Sequence, residues 1–384
     1  MRRSLLLLVG ALVLTEVMFY SALAPLLPHY AHRLHLSKGA AGLLTASYAI
    51  GTLLFALPMG IVVGHVGAKR CTIAGALALA GASVAFGLAG SAAALDAARL
   101  VQGIGGAAIW TSSLTWLSGS SPPERQGEMV GTALGIGIAG ALLGPVVGSV
   151  AELTRPSIVF DGVAALLLVL AGCALAVPAP ERPVASSARA MLRAVRRDGG
   201  LLAGFWFTLL PAALFGVLGV LAPLRLSALG AGTLAVGAVF FAGAAVEAIA
   251  TPFFGRSTDR RGPLPLIAVG LAGSVVVAAL LPLPGSAWLA GAATVLAGVI
   301  FGMAWVPASA LLTAGADRHG LHHGIAYALW NLAWALGLTL GAAVGAPLAQ
   351  ATTDGVPYWL LAALAAATLM ALRRTSLRRP PAPA

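Results

Sequence analysis

The sequence predicts an all-α membrane protein that crosses the bilayer twelve times and consists of two similar halves. Hydrophobic residues make up 59% of the 384-residue chain and charged residues only 9%, whereas a soluble domain carries about 25% charged residues. The mean hydropathy is +0.94, so lipid rather than water must surround most of the surface. Glycine motifs of the first half return in the second half, which indicates an internal duplication.

Twelve apolar segments are long enough for helices that cross the hydrocarbon core, which takes about 20 residues. Their connections are short except for one linker at 178–199. We therefore divide the chain into residues 1–177, this linker, and residues 200–384. The predicted spans are 5–27, 40–63, 71–91, 93–117, 129–151, 157–177, 200–223, 231–254, 264–283, 287–312, 321–346 and 355–372.

The Lys and Arg residues indicate the orientation of these spans. With the N-terminus in the cytoplasm, most of them fall in cytoplasmic segments, including both termini and the linker, as the positive-inside rule requires. We expect a multi-pass protein of a bacterial inner membrane with both termini in the cytoplasm. The net charge of +11 then reflects topology and contact with anionic lipid, not a nucleic-acid partner. The linker arginines share one face of a short amphipathic helix that would lie on the membrane surface.

Each half contains a short basic turn at an equivalent position, in 58–70 and again in 252–263. Each turn contains two glycines separated by six residues. Basic residues follow the second glycine in the first turn and lie between the two glycines in the second turn. The residues that define them are Gly60, Gly67 and Arg70 in the first half, and Gly255, Asp259, Arg260 and Gly262 in the second.

The fifth predicted span carries glycine at every fourth position, which allows a neighbouring helix to approach closely. A proline within the pattern removes a backbone donor and permits a bend. These residues are Gly140, Gly144, Pro145 and Gly148, and the glycines recur as Gly337, Gly341 and Gly345. Two interpretations remain open, a rigid packing seam and a helix that flexes or seals against leaks.

Charged side chains inside predicted spans are candidates for function, because they are costly in lipid. Glu16 lies in the middle of the first span, Arg99 in the fourth and Glu247 in the eighth. Each could instead be structural, with Arg99 and Gln102 as a packing pair. A carboxyl whose water access and cationic neighbour change between two conformations can bind a proton on one side and release it on the other. Glu16, Arg99 and Glu247 are therefore our candidates for proton coupling.

The sequence contains no phosphate-binding loop, nucleophilic triad or cluster of metal ligands. We therefore expect no enzymatic activity, no metal and no cofactor other than a proton gradient. Cys71 and Cys173 lie in or beside apolar runs and are expected to be reduced. Three histidines of the first outer loop, His29, His32 and His35, are interpreted as solvated residues rather than as a metal site or pH sensor.

These motifs resemble those of the major facilitator superfamily, and the resemblance extends over nearly the whole chain. The basic turns are similar to the cytoplasmic loop motif of that family. The other two matches are Arg99-x2-Gln102-Gly103, similar to its fourth-helix motif, and Gly140-x3-Gly144-Pro145-x2-Gly148, similar to the fifth-helix motif of drug–proton antiporters. One departure is Gly64, where the family usually has an aspartate that helps to close the cytoplasmic gate; Asp259 is retained in the second half.

The resemblance implies two six-helix bundles related by a pseudo-two-fold axis, a central cavity and alternating access. It implies that the basic turns are gating loops, that Arg99 takes part in proton coupling, and that Glu16 binds protons or cationic substrate. Aromatic and polar residues deep in the spans would line the cavity, although a packed or lipid-facing stripe is the alternative for the eleventh span. The predicted cavity residues are Tyr20, Tyr48, Gln102, Trp110, Trp206, Trp305, Tyr327, Trp330 and Asn331.

Aromatic walls with few charges suit a small amphipathic, cationic organic substrate better than a sugar, which needs more hydrogen-bonding groups. We therefore expect a monomeric secondary transporter that exports such compounds in exchange for protons. Two alternatives are a carrier for a native metabolite, such as a sugar or amino acid, and a membrane-embedded enzyme or sensor.

Overall fold

The computed structural model describes residues 2–121, 126–179, 198–319 and 323–377, and its regular structure in these ranges is entirely α-helical. The predicted amphipathic helix of the linker lies outside the described residues. The helices are α1 Arg2–Ser21, α2 Leu23–Arg33, α3 Lys38–Val66, α4 Ala68–Leu88, α5 Ala92–Gly119, α6 Gln126–Leu153, α7 Pro156–Ala176, α8 Gly199–Ala228, α9 Thr233–Arg261, α10 Pro263–Leu280, α11 Ala287–Gly302, α12 Trp305–Arg318, α13 His323–Ala351 and α14 Gly355–Leu377.

These helices form twelve membrane spans in two sets of six, which confirms the predicted fold class. The first span is divided into α1 and α2, and the tenth into α11 and α12. Each break lies just before a proline, Pro25 or Pro307, whose missing N–H leaves the carbonyl four residues earlier without its helical donor. The sequence analysis treated both spans as continuous.

Eleven spans in the described part are long and apolar enough to cross a membrane, and α5 is the twelfth. Its hydropathy is lowered by Asp96, Arg99, Gln102 and several hydroxyl residues. Because Arg99 and Gln102 are fully buried and α5 packs against α3 and α4, these polar groups face protein rather than lipid.

The glycine-rich stripes form equivalent helix contacts in the two halves. A Cβ at Gly148 of α6 would lie 2.1 Å from the carbonyl oxygen of Ala22, between α1 and α2. A Cβ at Gly341 of α13 would lie 2.1 Å from the carbonyl oxygen of Ala213 in α8. Only glycine permits so close an approach, so in this conformation the stripes are packing seams.

The two halves also meet through a duplicated contact. A Cβ at Gly42 of α3 would lie 2.4 Å from the carbonyl oxygen of Ala342 in α13. At the equivalent place, a Cβ at Gly237 of α9 would lie 2.2 Å from Ser149 Oγ in α6. The first and second halves therefore contact each other through two related helix pairs.

Polar contacts join the halves at the end of the bundle where α3 begins. Lys38 Nζ lies 2.5 Å from Asp354 Oδ1, and the Gly39 N–H donates to Gln350 Oε1 at 2.9 Å. These contacts hold the start of α3 against the last turn of α13 and the loop that follows it, so the two halves are joined at this end.

The basic turns lie at the opposite end, and their geometry explains two of the repeated glycines. Gly67 ends α3 with φ +93° and Gly262 ends α9 with φ +76°, a region that side-chain-bearing residues rarely adopt. Asp259 and Arg260 are exposed on the last turn of α9. Their role in gating stays a prediction.

Asp198 caps α8 and ties it to the end of α12. Its Oδ1 accepts from the Leu201 N–H at 2.9 Å, and its two oxygens accept from Arg318 at 2.8 and 2.9 Å. The hydrogen bonds from Arg318 hold the pKa of the Asp198 carboxyl well below its usual range. His319 Nε2 lies 3.2 Å from the same carboxyl.

We expect Asp198→Asn to lower the thermal stability of the purified protein modestly, because it keeps a capping oxygen but loses the charge pair. Arg318 is 52% exposed, so solvent screening limits the pair to about 1 kcal/mol or less. A depressed carboxyl pKa contributes stability that is present above the unfolded pKa of about 3.9 and is lost as pH falls below it. Melting temperatures should therefore differ between wild type and variant at pH 7, and the difference should begin to shrink as pH falls below about 4 and keep shrinking toward the depressed carboxyl pKa. A difference that stays constant from pH 7 into strong acid would contradict this assignment.

Candidate functional site

Glu16 is fully buried in the first half and is held by side chains of two other helices. The Tyr48 hydroxyl of α3 donates to Glu16 Oε1, and the Trp110 indole of α5 donates to Oε2 at 2.8 Å. A Cβ at Gly106, one turn before Trp110, would lie 2.7 Å from Oε1. Because Gly106 has no side chain, the carboxyl fits beside it, and each carboxyl oxygen accepts a hydrogen bond from Tyr48 or Trp110.

Arg99 lies beside this carboxyl, with Tyr48 in contact with both. Its Nη1 donates to Gln102 Oε1 at 2.7 Å and to the Tyr20 carbonyl oxygen at 3.5 Å. The guanidinium lies 5.1 Å from the centre of the Tyr48 ring and 5.5 Å from that of Tyr20. Among the described residues, no direct ion pair joins Arg99 to Glu16.

Two buried donors of this group have no hydrogen-bond partner in the described structure, Arg99 Nε and Gln102 Nε2. An unsatisfied buried donor costs about 1–3 kcal/mol, and more when it is charged. A bound solute, a water or a second conformation could therefore supply hydrogen-bond acceptors for these two donors.

A second carboxyl centre occupies the other half. Glu247 of α9 lies against Gly302 of α11, where a Cβ would be 2.3 Å from Glu247 Oε1. The carboxyl is within hydrogen-bonding reach of the Trp305 side chain in α12. Glycine and tryptophan thus accompany an acid in both halves, on the fourth and the tenth spans.

Aromatic rings connect the two centres. Phe215 of α8 stacks on Trp305 with centroids 5.5 Å apart, and Trp330 of α13 meets Trp305 edge to face at 5.6 Å. One turn further along α13, Trp334 lies 5.6 Å from Tyr20. The aromatic face of α13 therefore points at both carboxyl centres rather than at lipid.

Most predicted cavity residues are brought together by the fold, but Trp206 is not among them. Tyr20, Tyr48, Gln102 and Trp110 belong to the Glu16 group, and Trp305 and Trp330 to the Glu247 group. Tyr327 and Asn331 are half-buried on the same helix as Trp330. The Trp206 indole instead donates to Thr368 Oγ1 of α14 at 3.2 Å, so Trp206 does not belong to the candidate site.

Sequence reasoning did not select Gly106, Gly302 or Phe215. The two glycines precede Trp110 and Trp305 by one helical turn or slightly less in equivalent spans, and this recurrence could have revealed them. Nothing in the sequence distinguishes Phe215 from the other apolar residues of its span.

The fold and the site define a multi-pass membrane carrier with two bundles and an acidic centre in each. The sequence profile described as the Major Facilitator Superfamily matches residues 9–337. The chain belongs to the major facilitator superfamily and is therefore a secondary transporter of small molecules in a lipid bilayer.

Named relatives are similar over short stretches. The chain is 30% identical over 105 residues to the "MFS-type transporter ppzB" of Metarhizium rileyi, covering 27% of this chain and 22% of that protein. It is 32% identical over 104 residues to "Multidrug resistance protein Stp" of Mycobacterium tuberculosis, covering 27% and 19%. The matched stretches thus span about a fifth of these relatives.

Solved structures share the fold over the whole chain. A bacterial homologue of the human lysosomal transporter Spinster, in an inward-facing unoccupied conformation, has a TM-score of 0.81 at 16% identity, covering 99% of both chains. A D-xylose–proton symporter has a TM-score of 0.73 at 17% identity, covering 97% of this chain and 96% of its own. Similarity at this level of identity establishes the architecture.

Proposed function

We propose that this protein is a proton-coupled exporter of small amphipathic organic compounds that works by alternating access. The observation that carries the proposal is the Glu16 group, in which a fully buried carboxyl is linked through Tyr48 to a fully buried arginine. A buried acid with an adjustable cationic neighbour is the arrangement that a proton carrier requires. The partial similarity to a multidrug resistance protein agrees with export.

In this mechanism, the ionised Glu16 carboxyl is stabilised by its Tyr48 and Trp110 donors and by the positive charge of Arg99. Protonation removes the negative charge and leaves the Arg99 charge uncompensated, so the two forms favour different arrangements of the helices. Glu247 supplies a second carboxyl, open to a proton or a cationic substrate. Movement of the two halves at their shared contacts, α3 with α13 and α6 with α9, would expose the centre to one compartment at a time.

We further propose that the protein is a monomer in a bacterial inner membrane with both termini in the cytoplasm. The energy would come from the proton gradient alone, with no bound cofactor and no enzymatic step. The two basic turns would then line the cytoplasmic end, and the Lys38–Asp354 contact would lie at the outer end.

The test is a flux assay in proteoliposomes that contain the purified protein. A pH gradient should drive accumulation of an amphipathic cationic dye, and a protonophore should abolish it. Accumulation that is unaffected by the protonophore would contradict proton coupling, and the absence of protein-dependent flux for a panel of such dyes would contradict the proposed substrate class.

A carrier for a native metabolite is the second candidate, favoured by the amide nitrogen of Gln102. This buried Nε2 has no hydrogen-bond partner among the described residues, and polar solutes such as sugars or amino acids need such donors. A ligand that binds only the folded state raises the melting temperature. Stabilisation by a sugar or amino acid, with none by the dyes, would favour this candidate.

A further inference from the structure

The Glu247 centre differs from the Glu16 centre in having no cation beside it. Within the described residues, no ion pair to a Lys, Arg or His side chain involves Glu247. Arg99 lies beside Glu16, and the Tyr48 side chain contacts both of them. An anionic Glu247 carboxyl therefore has no ion-pair partner in the described part of the chain, and a charge withdrawn from water without a partner is costly.

An aromatic cluster centred on Trp305 begins beside Glu247 and is of the kind that receives an organic cation. Phe215, Trp305 and Trp330 come from three different helices. Trp305 stacks on Phe215 at 5.5 Å and meets Trp330 edge to face at 5.6 Å. All three are half-buried, as is Glu247 itself, so each keeps some surface that a solute could contact. Aromatic faces attract cations, and the attraction is larger where water is excluded.

We propose that Glu247, Phe215, Trp305 and Trp330 form a binding site for the charged group of a monovalent organic cation, such as a substituted ammonium or phosphonium. The inference rests on the proposed function and separates the roles of the two acids. Glu16, which already has donors and a neighbouring arginine, takes the proton. Glu247 takes the positive charge of the substrate, and Gly302 leaves the space in which its carboxyl can point at the aromatic group.

The test is equilibrium binding of radiolabelled tetraphenylphosphonium to the purified protein in detergent, with no gradient. Tetraphenylborate, which has nearly the same shape and the opposite charge, should bind at least about tenfold more weakly. Glu247→Gln should weaken tetraphenylphosphonium binding by about tenfold or more, because it removes the charge and keeps the volume. Glu152→Gln, which neutralises a carboxyl at the end of α6 whose Oε1 lies 3.7 Å from His29, should change this affinity by less than about twofold.

A second variant tests the position of the carboxyl without removing its charge. Gly302→Ala places a methyl group 2.3 Å from the present position of Glu247 Oε1, and it should weaken binding as Glu247→Gln does. The matched control is Gly298→Ala, one turn earlier, where the nearest atom would be 4.0 Å away. That control should bind like wild type.

Wild-type affinity in Glu247→Gln or in Gly302→Ala, or equal binding of the two probe ions, would overturn the inference. The result is independent of transport. A protein that binds the cation through Glu247 but moves no protons would contradict the proposed coupling and support this site. A proton-coupled exporter that binds the cation equally well without the Glu247 carboxylate would support the proposed coupling and contradict this site.

Discussion

Glu16→Gln is expected to abolish transport that is driven by a pH gradient while preserving exchange of substrate between the two sides. Glutamine keeps the shape of the side chain and an oxygen that can accept from Tyr48 or Trp110, but it cannot gain or lose a proton. Positioned groups that transfer protons contribute about a hundredfold or more to rates, and we expect a loss of this size in gradient-driven flux. Counterflow of labelled substrate against unlabelled substrate should continue, because it requires no net proton movement.

The matched control is Glu152→Gln at the end of α6. Glu152 is partly exposed and its carboxyl lies 3.7 Å from His29, far from the first-half centre. We expect unchanged flux in this variant. Gradient-driven export at the wild-type rate in Glu16→Gln would remove Glu16 from the coupling mechanism.

Gly148→Ala is expected to destabilise the protein more than the same substitution at any other glycine of α6. The new Cβ would lie 2.1 Å from the Ala22 carbonyl oxygen and 2.7 Å from the Pro25 ring, and backbone atoms cannot move aside as a flexible side chain can. Overpacking of this kind costs about 1–3 kcal/mol. A clear fall in the melting temperature of the purified protein is the expected result.

Gly135→Ala is the control on the same helix, because nothing lies within 4 Å of its added Cβ. Alanine is intrinsically better than glycine inside a helix by about 0.5–1 kcal/mol, so this variant should be as stable as wild type or more so. Equal melting temperatures for Gly148→Ala and wild type would show that the contact between α6 and the first span is loose, and would favour the interpretation of a flexing helix.

The fold could be predicted from the sequence because the bilayer restricts the possible structures. Long apolar segments must be helices in lipid, and the recurrence of the Gly140 series as the Gly337 series indicated the duplication. The breaks near Pro25 and Pro307 were missed, because a proline inside a span can kink a helix, end it, or be accommodated without either. The choice depends on the packing of neighbouring helices.

The candidate site could be predicted in part. Buried charges are rare enough in spans that Glu16, Arg99 and Glu247 stand out in the sequence. The partners of each charge depend on how the helices are rotated about their axes, and composition does not determine this rotation. The sequence therefore did not show that Tyr48 and Trp110 both donate hydrogen bonds to Glu16. Nor did it show that Trp206 points toward α14 instead of the candidate site.

The central claim is that export of solute is coupled, through the Glu16 centre, to proton movement in the opposite direction. Its most direct test is simultaneous recording of internal pH and labelled solute in proteoliposomes, for wild type and Glu16→Gln. The account predicts that substrate added to wild-type vesicles moves protons in the opposite direction, and that the variant exchanges solute without any change in pH. Solute movement with no proton movement in the wild type, or equal proton movement in both proteins, would contradict it.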